Sequence, residues 1–118
     1  MDTPATILLV DDDDGVRRIL RKVLEAKPYR VLENGQPRSA CAMFDADPNA
    51  IDLVVTDLKM PGMSGQEVVR HLRTNHPDRD VRLVCLTGRD FSEDRRLCME
   101  AGFHDFMAKP MHRRYSTR

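Results

Sequence analysis

The run Ile7-Leu8-Leu9-Val10-Asp11-Asp12-Asp13-Asp14 sets four consecutive apolar residues against four consecutive aspartates. A short stretch without polar alternation is the pattern of a strand buried on both faces, as in a parallel sheet covered by helices on each side. Beyond the acids, Val16, Ile19, Leu20, Val23 and Leu24 recur at i, i+3, i+4, i+7 and i+8, the apolar stripe of a helix. Asp14 stands where an N-cap is wanted. The stretch therefore reads as strand, acidic turn, helix.

The same alternation runs to the end of the chain. Tyr29 to Glu33 predicts a short, half-polar strand, and Pro37 opens a helix to about Ala46 with Ala40, Met43 and Phe44 inward. Ile51 to Thr56 is a third apolar strand. Ser64 and Glu67 form an S-x-x-E capping box before Val68, Val69 and Leu72. Val81 to Leu86 is a fourth strand, Asp90 and Glu93 introduce a helix that stops at Gly102, and Phe103 to Ala108 is a fifth strand. Alternation of this kind, with no long linker or repeat, predicts an α/β fold: a doubly wound, five-stranded parallel sheet in one domain, residues 1–118.

The composition excludes several classes. Among 118 residues, 19 Lys and Arg balance 19 Asp and Glu, so no basic excess points to nucleic acid. The longest apolar run is too short to span a bilayer and no basic-then-apolar leader opens the chain, so a cytoplasmic protein without membrane contact is expected. The cysteines Cys41, Cys85 and Cys98 form no C-x-x-C pair, and reduced core thiols are expected. His71, His76, His104 and His112 have no metal-ligand spacing and read as surface groups.

Open parallel sheets bind ligands at the carboxyl ends of their strands. Those positions hold Asp11 and Asp12 after strand one, Asp57 after strand three, Thr87 after strand four and Lys109 after strand five. Three converging carboxylates repel unless a cation joins them, and hard oxygen ligands suit Mg²⁺. Carboxylates, Mg²⁺ and a lysine together make a place where a phosphoryl group is held and transferred.

These residues carry a resemblance. Leu9-Val10-Asp11-Asp12, Asp57-Leu58-Lys59-Met60-Pro61-Gly62-Met63-Ser64-Gly65, Leu86-Thr87-Gly88 and Ala108-Lys109-Pro110 resemble the motifs of the receiver domain of two-component response regulators, over about residues 6 to 110. The resemblance implies a flavodoxin-like fold with strand order 2-1-3-4-5. It implies that Asp57 accepts a phosphoryl group from a phosphohistidine, donated by a histidine kinase or a histidine phosphotransfer protein. Asp11, Asp12, Asp57 and the backbone carbonyl of Lys59 would hold Mg²⁺, while Thr87 and Lys109 would bind the phosphoryl group. Phe106 would be an aromatic switch coupled to Thr87, and the bond before Pro110 would be cis. Lys59 and Arg89 flank the pocket by position. The implied role is phosphorelay signalling toward a downstream protein the sequence does not name, not turnover as an enzyme.

Two rival classes are weaker. Asp12-Asp13-Asp14-Gly15-Val16 fits the D-x-D-G-[TV] motif of haloacid-dehalogenase-type phosphatases, but the later acids of that family have no counterpart after Lys109. A phosphorylation-independent interaction module is disfavoured by the complete set of site residues. Two departures from the receiver pattern give expectations of their own. The short connection at Val31–Gly35 predicts a stunted edge strand. The residues after Pro110 suffice only for a truncated fifth helix, with Met111 and Tyr115 as its i, i+4 pair, which would bare part of the sheet and favour a homodimer.

Overall fold

The computed structural model describes residues 4–88 and 91–110, excluding the side chain of Phe91. Its elements follow the predicted order: β1 (Ala5–Val10), α1 (Asp14–Glu25), β2 (Tyr29–Asn34), α2 (Pro37–Ala46), β3 (Leu53–Asp57), α3 (Gly65–Asn75), β4 (Arg82–Thr87), α4 (Phe91–Ala101) and β5 (Asp105–Ala108). The strands form one sheet in the order β2-β1-β3-β4-β5, with all four pairings parallel. The expected doubly wound fold is present.

The continuous apolar runs fill two cores because successive side chains of a strand leave opposite faces. Ile7, Leu9, Val55 and Leu86 meet Val16 and Leu20 of α1 on one side. Leu8, Val10, Val54, Leu83 and Cys85 meet residues of α2, α3 and α4 on the other, with Phe44 at full burial. At the sheet's edge, β5 is the least buried strand, with Phe106 half-buried and its neighbours exposed. Among the described residues no helix is long and apolar enough to cross a membrane. The predicted short fifth helix, Met111 and Tyr115 included, lies outside the described residues, as do Arg89 and Asp90.

Several local expectations are corrected. The cap of α1 is Asp13: its carboxylate accepts from Gly15 N–H at 2.8 Å and Val16 N–H at 3.1 Å. Asp14 is instead the first helical residue, where its charge suits the helix dipole. A cap reaches the amides two and three residues on, and only Asp13 has the extended backbone for it. The edge strand is not stunted either, since β2 pairs with β1 over six rungs from Ala5↔Tyr29 to Val10↔Asn34. Strands β3 and β4 each end later than their apolar runs, because backbone pairing carries Asp57 and Thr87 into the ladder.

The cysteine expectation also changes. Cys85 of β4 and Cys98 of α4 are joined as a disulfide across the core, their Cα atoms 6.2 Å apart, a spacing such bonds accept. Cys41 is the free, buried thiol among the described residues, and burial pushes its pKa up to about 11. No peptide bond among the described residues is cis, so the bond before Pro110 is trans. That is the intrinsically favoured isomer, and Lys109 reaches its partners from it.

Local chemistry at α3 shapes the loop after β3. Ser64 and Glu67 form the predicted capping box. Gly62 turns the chain with a positive φ of 82°. Gly65 N–H donates to the Leu58 carbonyl at 2.9 Å. A Cβ on Gly65 would press on the Asp57 carbonyl and lie 3.1 Å from Leu58 Cα. That neighbour is backbone at the end of a paired strand, so it gives way only by moving Asp57. Gly65→Ala is therefore expected to destabilise by roughly 1–3 kcal/mol, the usual effect of overpacking. Urea unfolding checks this: the midpoint should fall with the slope unchanged.

Candidate functional site

The carboxyl ends of β1, β3, β4 and β5 bring the predicted residues together. Asp11 is fully buried and Asp57 nearly so, while Asp12 is exposed beside them. One carboxylate oxygen from each of the three lies within 4.8 Å of the others. Lys109 Nζ, half-buried at the end of β5, donates to Asp57 Oδ2 at 2.8 Å and stands 3.4 Å from Asp11 Oδ2. Asp57 Oδ1 accepts from Leu58 N–H at 2.8 Å. Asp11 Oδ1 accepts from Asp13 N–H at 2.8 Å. The second oxygen of Asp11 is buried without a hydrogen-bond donor.

Thr87 and Phe106 stand apart from this cluster. Thr87 is fully buried, and its hydroxyl donates to the Met107 carbonyl at 3.3 Å, toward β5. Its carbonyl accepts from Lys109 N–H at 2.9 Å, so the lysine's backbone is fixed by the strand that carries the hydroxyl. Phe106 packs against the core of the α2–α4 side, with the Arg95 guanidinium 5.1 Å from its ring centroid. Lys59 is exposed, and its backbone amide helps to lower the Asp57 pKa against the effect of burial. Gly88 N–H donates to Asp94 of α4 at 2.8 Å. Next to Asp12 an open cavity of about 500 Å³ is lined by Gly35, Gln36, Pro37, Arg38, Pro61, Gly62 and Met63.

Sequence reasoning missed one participant. Arg17 of α1 donates to the Asp11 carbonyl at 2.6 Å and to Glu33 of β2 at 2.9 Å. One arginine among many on a helix carries no signal of this, because the contact depends on where β2 ends. The histidines behave as surface groups in part: His71 and His76 both bond the Asp45 carboxylate, at 2.8 and 2.5 Å. His104 is exposed and accepts from Leu83 N–H at 3.0 Å, and His112 lies outside the described residues. Gly88 proves to adjoin Asp94, the nearest atom a Cβ there would meet, at 3.5 Å.

The electrostatics follow from burial. Asp11 has its pKa raised to about 6, mainly by desolvation and further by the neighbouring Asp57 charge. Burial also raises Asp57, with Lys109 opposing it. For Lys109, burial works against the charged form, but the Asp57 and Asp11 carboxylates outweigh it and raise the pKa. The buried Asp11 and Asp57 share the one ammonium of Lys109, and the exposed Asp12 carboxylate stands beside them, so negative charge outweighs positive in the cluster. An all-oxygen donor set of this kind fits a hard divalent cation.

The native state holds the Asp11 proton more tightly than the unfolded chain, where this carboxyl titrates near 3.8. Its contribution to stability is therefore lost as pH rises from about 4 to about 6. Asp11→Asn, which keeps the acceptor for Asp13 N–H, should stabilise the metal-free protein at pH 7.5 by on the order of 1–3 kcal/mol. The gain should shrink at pH 4. Urea unfolding at both pH values, with chelator present, measures it.

Comparison with known proteins accords with this geometry. The sequence profile of the response regulator receiver domain matches residues 7–115. A cyclic di-GMP phosphodiesterase response regulator, RpfG, from Xanthomonas campestris pv. campestris is 35% identical over 112 residues, 93% of this chain and 29% of that protein. The response regulator MprA of Mycolicibacterium vanbaalenii is 37% identical over 107 residues, 91% of this chain and 45% of that one. The chain thus spans less than half the length of these relatives. Among solved structures, the receiver domain of a sensor histidine kinase from Pseudomonas aeruginosa PAO1, with a magnesium ion coordinated in its active-site cleft, superposes with a TM-score of 0.79. It is 27% identical, and the match covers 98% of this chain and 93% of that one. A response regulator from Chloroflexus aurantiacus reaches 0.83 at 26% identity, covering 97% and 92%. By profile, sequence and fold, the chain belongs to the response regulator receiver domain family, the phosphoacceptor signalling domain of two-component systems.

Proposed function

We propose that Asp57 is the phosphoacceptor, and that residues 1–118 act as a single receiver domain in the cytoplasm without turnover as an enzyme. The donor is the phosphohistidine of a histidine kinase or a histidine phosphotransfer protein. The observation that carries this reading is the Asp57 carboxylate within 4.8 Å of those of Asp11 and Asp12 and bonded by Lys109 Nζ at 2.8 Å. Lys109 Nζ is nearer to Asp57, at 2.8 Å, than to Asp11, at 3.4 Å.

Asp11, Asp12 and Asp57, with the Lys59 carbonyl, are the groups to hold Mg²⁺. When bound, that ion offsets the repulsion between the carboxylates and an incoming phosphoryl anion. A carboxylate oxygen of Asp57 attacks phosphorus, the P–O bond forming as the P–N bond to the donor imidazole breaks and its electron pair leaves with the imidazole. Lys109, already beside Asp57, transfers its ammonium from the carboxylate to a phosphoryl oxygen. It stabilises the charge spread over those oxygens in the transition state.

The switch uses contacts the resting structure makes. The Thr87 hydroxyl leaves the Met107 carbonyl for the phosphoryl group, and the space it vacates admits Phe106. Each contact exchanged is a single hydrogen bond, so the change is a shift between two populations separated by a few kcal/mol.

A small acyl phosphate donor with Mg²⁺ should add one base-labile phosphoryl group. Asp57→Asn should abolish it, and Asp12→Ala should slow it by at least tenfold, as loss of a metal ligand does. Intact-mass measurement reads both, and label retained by the Asp57→Asn protein would refute the assignment. A generic phosphate ester should not be turned over. In the same assay Thr87→Ala should still be phosphorylated, yet the chemical shifts of Phe106 should no longer respond to a phosphoryl mimic.

A further inference from the structure

We infer that Arg17 is a positioning residue for the cation-binding acids, holding the Asp11–Asp12 turn from behind while leaving its carboxylates free. This rests on the reading that those acids hold Mg²⁺. Asp11 is fully buried, so its backbone carbonyl cannot turn to water and needs a protein donor. Its N–H is paired with the Asn34 carbonyl at 3.3 Å, and the carbonyl is served by Arg17 Nη1 at 2.6 Å.

The guanidinium that makes this contact is fixed in its other directions. Nε donates to Glu33 Oε1 of β2 at 2.9 Å, and Nη2 donates to Asp14 of α1. Glu33 is itself held by Arg21, one helical turn along α1. The Arg17 side chain is only 15% exposed. A planar fork bonded along three directions cannot rotate without breaking all of them. It ties the β1–α1 turn, the helix and the end of β2 into one unit.

Gly35 makes the seat. A Cβ at this position would lie 2.6 Å from Arg17 Nη1 and 3.2 Å from its Cζ. Space for the fork thus depends on the absence of a side chain just past β2. The geometry also divides labour between two cations. Lys109 approaches the carboxylate oxygens directly, at 2.8 Å from Asp57 Oδ2 and 3.4 Å from Asp11 Oδ2, where it competes with a cation for the same oxygens. Arg17 touches Asp11 only through its carbonyl, so it brings positive charge to a crowded acidic turn without competing for a ligand oxygen.

The test separates positioning from a merely structural clamp. Mg²⁺ affinity is measured by chemical-shift titration of the unphosphorylated protein, and stability by urea unfolding with chelator. Arg17→Ala should weaken Mg²⁺ about tenfold, in the range found when partners behind metal ligands are removed. Gly35→Ala should weaken it by several-fold, because the new Cβ displaces Nη1 from the Asp11 carbonyl, while the unfolding midpoint falls less than in Arg17→Ala, which loses all three bonds of the fork. Should Arg17→Ala fail to fold, Gly35→Ala decides the matter. Affinities equal to wild type in both variants would overturn the proposal, and so would full restoration by Arg17→Lys, which supplies charge without the fork. Failure of the underlying reading looks different: wild type would bind no Mg²⁺, or Asp12→Ala would bind it as wild type does.

Discussion

Gathering Asp11, Asp12 and Asp57 at one end of a parallel sheet is the demand that organises this molecule, because like charges in a partly buried place repel. The fold makes the gathering unavoidable. Strands β1 and β3 are adjacent and parallel, so their carboxyl ends fall side by side. The opposing charge comes from β5, two strands away from β3, and only a side chain as long as lysine spans that gap. The apolar strands supply the rigidity: both faces of β1 are packed into separate cores, which leaves the acids no freedom to drift apart.

Much of this was legible in the residues. The unbroken run Ile7–Val10 announced a doubly covered strand, and the acids after it marked the functional end of the sheet before any likeness was considered. The capping box at Ser64 and the glycine at Gly102 are local chemistry, and local chemistry is what a sequence states most directly. The errors were of another kind. Asp13 and Asp14 are chemically equal, and only backbone geometry decides which of them caps. The Cys85–Cys98 pair required knowing that α4 lies against β4. Arg17 required the end of β2, seventeen residues along, to be placed beside α1.

The same distinction explains why the ends of β3 and β4 were read short. Periodicity follows side chains, whereas a strand is defined by its backbone partners. Asp57 and Thr87 are polar, yet they remain in register with Leu86 and Ala108. Their reactive groups are thus mounted on the rigid sheet and not on its loops, and a precise site needs that mounting.

The resting arrangement also explains how a small chemical event can be felt at the sheet's far edge. Lys109 serves two masters: its ammonium bonds Asp57, and its backbone N–H bonds the carbonyl of Thr87. The Thr87 hydroxyl bonds the Met107 carbonyl, and the next amide, Gly88 N–H, bonds Asp94 on α4. These links form a chain from the acidic cluster through β5 and the end of β4 to a helix. Net hydrogen bonds of this kind are worth about 1 kcal/mol each, with more where a charge takes part. On the proposed assignment, a phosphoryl group on Asp57 that drew in both Lys109 and Thr87 would replace contacts of comparable strength, and the balance between the two arrangements would be close. Closeness of that balance, set by ordinary hydrogen bonds around one deliberately crowded set of charges, is the physical condition for a phosphoacceptor to work as a switch.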